Sequence, residues 1–188
     1  MKKIMFNDRY GLTKAVLEGR KTMTRRIIKP QPIEFLCVEK LPNRYMEIIQ
    51  EDDLALRIKS HYKVGEVVAV AQNYNSFYDD TYNPVLFPAG AGWDNKMFVR
   101  AELMPHQIRI TSIRAERLQD ITEEDCIKEG IQFIEEIEKY YFERFDRDEG
   151  FYFDTSREAF ASLIDKVSGR GTWQSNPYVW VYEFELLN

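Results

Sequence analysis

The chain has 188 residues, of which 44% are hydrophobic and 14% aromatic, so it can bury the core of one domain and is too apolar for a disordered chain. No apolar run nears the ~18–20 residues of a membrane span, and the opening MKKIMFNDRYGL lacks the apolar stretch of a secretion signal; no membrane partner and a cytoplasmic setting are expected. The formal charge is −5, which alone would not suggest a nucleic-acid binder, but residues 1–30 carry nine Lys/Arg against two acids, a basic start that permits one, and leave the rest at −12.

In chain order, KIMF (3–6) reads as a short strand. Asn7 or Asp8 can cap a helix through Leu12, Ala15, Val16 and Leu17, with Gly11 weakening it and Gly19 as a left-handed cap at its end. TMTRRII (22–28) reads as a strand that stops before Pro30 and Pro32. Residues 35–40 and 45–50 suit a hairpin around Pro42 and Asn43, and KVGEVVAVAQNY (63–74) a turn at Gly65 followed by a strand buried on both faces. Residues 75–100, rich in aromatics, Asn, Asp, Pro and Gly, read as a long ordered loop or insertion.

QIRITSIRAERL (107–118) alternates as a strand does. Thr122 and Asp125 open a short helix that ends at Gly130. The acidic run 131–149 has a helix as its candidate reading, within a second insertion near 131–154. Thr155 and Glu158 form a capping box ahead of a helix with Ala159, Phe160, Leu163, Ile164 and Val167 on one face, closed by Gly169. The last segment, NPYVWVYEFELL, places Tyr178, Trp180, Tyr182, Phe184 and Leu186 on one face of a strand that belongs inside a sheet. One α+β domain over 1–188 follows, with a mixed or antiparallel barrel and flanking short helices.

No P-loop, GxGxxG, HExxH or GxSxG motif is present. Cys37, Cys126, His61 and His106 stand at no metal-ligand spacing, so neither a metal nor another cofactor is expected. The concentrated chemistry lies in GRKTMTRR (19–26), where Arg20, Lys21, Arg25 and Arg26 surround Thr22 and Thr24.

Four blocks, VLEGRKTMTRRIIKPQP (16–32), YKVGEVVAV (62–70), RITSIRAERLQDITEEDCIKEGI (109–131) and GTWQSNPYVWVYEFELL (171–187), resemble the longer ASCH proteins often found in phages and their bacterial hosts. The resemblance implies a PUA-like pseudo-barrel and a module that binds RNA, a nucleotide or a modified nucleoside. In such a module Arg20, Arg25 and Arg26 would contact phosphate, Thr22 would hydrogen-bond an acceptor, and Gln72 and Trp93 are further candidate contacts, Trp93 by stacking on a base. A related small bacterial branch hydrolyses the acetyl amide of N4-acetylcytidine, and matching its motif implies Lys21, Thr24 and Glu129 as a catalytic trio. The chemistry is coherent: a Thr hydroxyl needs a base, a buried Lys beside other cations can be one, and a carboxylate can orient it. Where such proteins carry an Arg–Glu pair after the second block, this chain has Ala71 and Gln72, which weakens the carry-over. A phage-related module that binds a protein partner is the third reading.

Two local features bear on the trio. Glu129 lies at the end of its helix, where the macrodipole disfavours a negative charge. Lys21 and Thr24 would point to opposite faces of a continuous strand, so they meet only if the chain is still turning at 21–22.

Overall fold

The computed structural model describes residues 1–29, 31, 39–40, 45–49, 55–77, 91–144 and 152–187. Its centre is a five-stranded sheet in the order β1 (Lys2–Ile4), β6 (Val67–Val70), β7 (Gln107–Arg117), β10 (Tyr178–Leu187), β2 (Met23–Ile27). β1 runs parallel to β6, and every other neighbouring pair is antiparallel. β3 (Glu39–Lys40), β4 (Tyr45–Ile49) and β5 (Ala55–Lys59) form a separate antiparallel sheet. The turn expected around Pro42 and Asn43 lies outside the described residues, as do 78–90 and 145–151 of the two expected insertions.

β10 lies in the interior of the sheet, as its aromatic face suggested, and pairs along its whole length with β7. The register shifts between Glu183 and Phe184, so Thr111 has no partner and β7 bulges there. Val179, Trp180, Val181 and Tyr182 are all buried, which shows that the strand is covered on both faces. β6 behaves likewise: Val68, Ala69 and Val70 are fully buried.

The expected PUA-like barrel is not formed. Among the described residues β1 pairs with β6 alone and β2 with β10 alone, so the two edge strands do not meet and the sheet is open. The fold is α+β with open sheets. A second correction concerns the acidic run after Gly130. Instead of a helix, β8 (Gln132–Ile134) and β9 (Lys139–Tyr141) form a hairpin, linked by a 3₁₀ turn over Glu135–Ile137 and by Glu138 in the left-handed region at φ 52°. Acidic residues suit an exposed turn as well as an exposed helix, and the cross-strand stacking of Phe133 on Tyr140, centroids 4.8 Å apart, favours the hairpin.

The helices follow their caps. Asn7 caps a 3₁₀ turn over Asp8–Tyr10 through the Arg9 amide, and α1 (Leu12–Leu17) begins only after Gly11. Thr122 accepts from the Asp125 amide at the start of α2 (Glu123–Lys128). Both bonds of the Thr155–Glu158 capping box are made at the start of α3 (Ser156–Ser168), which α4 (Thr172–Ser175) follows. α3 buries Ala159, Phe160, Leu163 and Ile164 in the same core as Phe6, Leu12 and Val16. Among the described residues no helix is long and apolar enough to cross a membrane.

Ile110 on β7 is fully buried, whereas Glu185 on β10 is exposed. Urea denaturation is expected to show a loss of about 2–5 kcal/mol for Ile110→Ala. Glu185→Ala is expected to stay within about 0.5 kcal/mol of the parent.

Candidate functional site

The segment between α1 and β2 sets the site. Gly19 takes φ 73°, a left-handed turn that reverses the chain after α1. The Lys21 amide then bonds the Ala15 carbonyl at 2.9 Å, and the Thr22 amide bonds the Lys128 carbonyl at the end of α2 at 3.0 Å. Residues 21 and 22 are therefore still outside the strand, which starts at Met23. The Thr22 carbonyl accepts from the Phe184 amide at 2.9 Å, locking the turn to β10. This local shape lets Lys21 and Thr24, which strict alternation would separate, line one cavity.

That cavity, of about 300 Å³, is walled on one side by Phe6, Asn7 and Leu12 and on the other by Phe160, Leu163, Ile164 and Val167 of α3. Lys21, Thr24, Arg25, Arg26 and Glu129 line it between these walls, and Ile27, Lys29 and Ser168 complete it. Its size matches the lower end of small-molecule sites.

The Lys21 ammonium is 2% exposed and donates to both the Glu129 carboxylate, at 2.6 Å, and the Glu129 carbonyl, at 2.7 Å. Glu129 ends α2, and Gly130 after it takes φ 106°. The second oxygen of Glu129 accepts from Arg25 at 3.3 Å. Arg25 is itself buried and bonds Glu116 and Asp125, each at 2.6 Å. Arg114 extends the network to Asp125, Glu116 and Glu183 at 2.6, 2.8 and 2.5 Å. Burial lowers the Lys21 pKa, and the neighbouring guanidinium groups of Arg26 and Arg25 push the same way against the pull of Glu129. Burial also works against the charge of Arg25, but Glu129, Asp125 and Glu116 outweigh it and raise its pKa. The Thr24 side chain is buried and, among the described residues, engages in no side-chain hydrogen bond.

Other residues singled out in the sequence lie elsewhere. Arg20 pairs with Glu18 and Glu143 at 2.6 and 3.1 Å. Thr22 serves through its backbone. Gln72 bonds His106 Nδ1 at 2.8 Å, and Trp93 packs edge-on against Tyr74, centroids 5.5 Å apart. None of these four lines the cavity.

Two groups escaped the sequence reading. Arg114 lies within the strand expected at 107–118, and the network around it unites β2, β7, α2 and β10 in a way no local pattern shows. Beside the cavity wall, Lys96 bonds Asp8 at 2.7 Å, Thr13 at 3.0 Å and the Phe6 carbonyl, while the Thr13 hydroxyl bonds Asp8. Burial lowers the pKa of Lys96 against the opposing pull of Asp8. Lys96 lies 83 residues from Thr13, so no motif could have joined them.

No family model, no curated protein and no solved structure matches the chain. The four ASCH-like blocks supply α1–β2, β6, β7–α2 and α4–β10, but with an open sheet and no matching family model the ASCH, PUA-like assignment is not upheld. The RNA- or nucleotide-binding reading falls with it. Three of its cations are already committed: Arg20, Lys21 and Arg25 are each held by a carboxylate at 2.6 Å, which leaves Arg26.

Removing one partner from the buried network leaves charges stranded, so Glu129→Ala should cost about 3–5 kcal/mol in urea unfolding. The depressed pKa of Lys21 gives a signed pH dependence. Between its folded value and the ordinary 10.5, the unfolded chain holds more protons, so stability rises with pH in that window. Unfolding measured from pH 7 to 10 should show the parent gaining on Lys21→Met as pH rises; a flat difference would contradict the assigned shift.

Proposed function

We propose that the chain is a hydrolase of a small amide or ester, with the cavity between β2, α2 and α3 as its active site. The observation that carries this reading is the convergence of a buried lysine of lowered pKa, a carboxylate that orients it and a threonine on one small cavity. Catalytic groups are commonly found where burial and neighbouring charge shift a pKa in a cleft.

In this reading Thr24 is the nucleophile and Lys21 the base. A neutral lysine has two N–H groups, and Glu129 offers two acceptors, its carboxylate and its carbonyl. With both N–H groups so engaged, the lone pair is left to take the Thr24 proton. The hydroxyl oxygen attacks the acyl carbon, and the C–N or C–O bond breaks. Lys21 returns the proton to the leaving amine or alcohol. Water, deprotonated by the same lysine, then attacks the acyl carbon, the bond from that carbon to the Thr24 oxygen breaks to release the acid, and Lys21 returns the proton to Thr24. Arg25 holds Glu129 in place from the other side.

A second reading puts the nucleophile at Thr13. There the hydrogen bonds between hydroxyl, Asp8 and Lys96 already have the connectivity of a nucleophile, a carboxylate and a base. The cavity favours Thr24, since Thr13 does not line it.

Release of acid from p-nitrophenyl acetate and from the amide N4-acetylcytidine separates the readings. Thr24→Ala is expected to lose at least about a hundredfold in kcat/KM, and Lys21→Met about 10²–10⁴-fold. The double variant should be no worse than the poorer single one, because both residues serve one step. The rate should rise with pH through the lowered pKa of Lys21 and then level off, since only the neutral amine accepts a proton. Loss in Thr13→Ala with Thr24→Ala intact would move the nucleophile to the second cluster. Full activity in both variants would sink the hydrolase reading.

A further inference from the structure

We infer that the cavity selects a substrate carrying an anionic group, bound at its mouth by Arg26 and Lys29; the step from ligand to substrate rests on the hydrolase reading above.

The inference comes from which charges around the cavity are already balanced. Lys21 and Arg25 share Glu129, the one carboxylate among the described residues that lines the cavity. Arg26 and Lys29 also line it, and neither has an acidic partner among the described residues. Arg26 is half-buried and, among the described residues, its side chain makes a single hydrogen bond, to the Met5 carbonyl at 2.5 Å, with its guanidinium 5.7 Å from the centroid of the Phe6 ring. That leaves most of its five N–H donors unused. Lys29 is exposed, two residues beyond the end of β2. The last turn of α3, which supplies Val167 and Ser168 to the same rim, brings roughly half a negative charge from the helix dipole, well short of two cations. The other carboxylates of the Arg25 network do not line the cavity.

An anion at the mouth therefore completes the site. Two faces of aromatic and aliphatic residues, Phe6 and Phe160 with Leu163 and Ile164, suit a flat or apolar body between that anion and the reacting acyl group. The ligand class is a compact, partly apolar molecule with a carboxylate or phosphate at one end. A guanidinium with free donors is suited to either oxyanion.

Calorimetry on the full chain with benzoate, phenyl phosphate and the neutral benzamide tests this without turnover. One of the anions should bind about tenfold more tightly than benzamide, with an advantage that shrinks as salt rises. Tighter benzoate assigns a carboxylate, and tighter phenyl phosphate assigns a phosphate. Lys29→Gln, at an exposed position, should narrow the preference without disturbing the fold, and Arg26→Gln with Lys29→Gln should remove it. In hydrolysis, 4-acetoxybenzoate should exceed 4-acetoxybenzamide by about the same factor in kcat/KM. Equal binding of anion and amide, no binding of either anion, or a preference that survives the double variant would overturn the anion site. Anion-selective binding with neither ester cleaved would instead overturn the hydrolase reading alone.

Discussion

One carboxylate shared by two buried cations organises this molecule. Glu129 takes Lys21 on one oxygen and Arg25 on the other, and neither cation has water to fall back on. Taking ions out of water costs several kcal/mol each unless they are well paired. The fold meets that demand by bringing the end of α2 against the start of β2, where the Thr22 amide to Lys128 carbonyl bond fixes the distance. Such a network adds little net stability over an apolar core of equal volume, but it strongly disfavours any arrangement that parts its members. It pins a helix end to a strand start beside the cavity.

The same arrangement explains why the site is chemically unusual. A lysine on a surface would be a charged, hydrated point. Here burial lowers its affinity for a proton, and two guanidinium groups add to the effect. Arg25 would be a strong anion ligand if it were free, but three carboxylates occupy it. Its work is confined to holding Glu129 and to the local field. Arg26, one residue on, is left with a backbone carbonyl. Two adjacent arginines in one strand thus differ in their partners: carboxylates for Arg25 and, among the described residues, a backbone carbonyl for Arg26.

Much of the framework was legible in short stretches. The Thr155–Glu158 box, the left-handed Gly19 and the aromatic alternation of Tyr178 to Leu186 are local signals, and each was realised. The hairpin at 132–141 was not legible, because glutamates at 135, 136 and 138 suit an exposed turn and an exposed helix equally, and the Phe133–Tyr140 contact that decides it is non-local. Whether the sheet closes was not legible for a related reason. Strand patterns show that strands exist and which of them are buried; closure depends on whether β1 and β2 meet, and no residue in either strand encodes that.

By itself, the sequence determined most of the elements outside 131–149, their caps, the interior place of the last strand and the gathering of cations and threonines at 19–26. These depend on backbone preferences and on the period of apolar side chains, which act over a few residues. Only the tertiary structure decided that the chain turns at 21–22, that Lys21 meets a carboxylate 108 residues away, and that Arg25 is neutralised while Arg26 is not. Those outcomes depend on the desolvation of charge, a property of the surroundings that the packed chain creates and that no single segment carries.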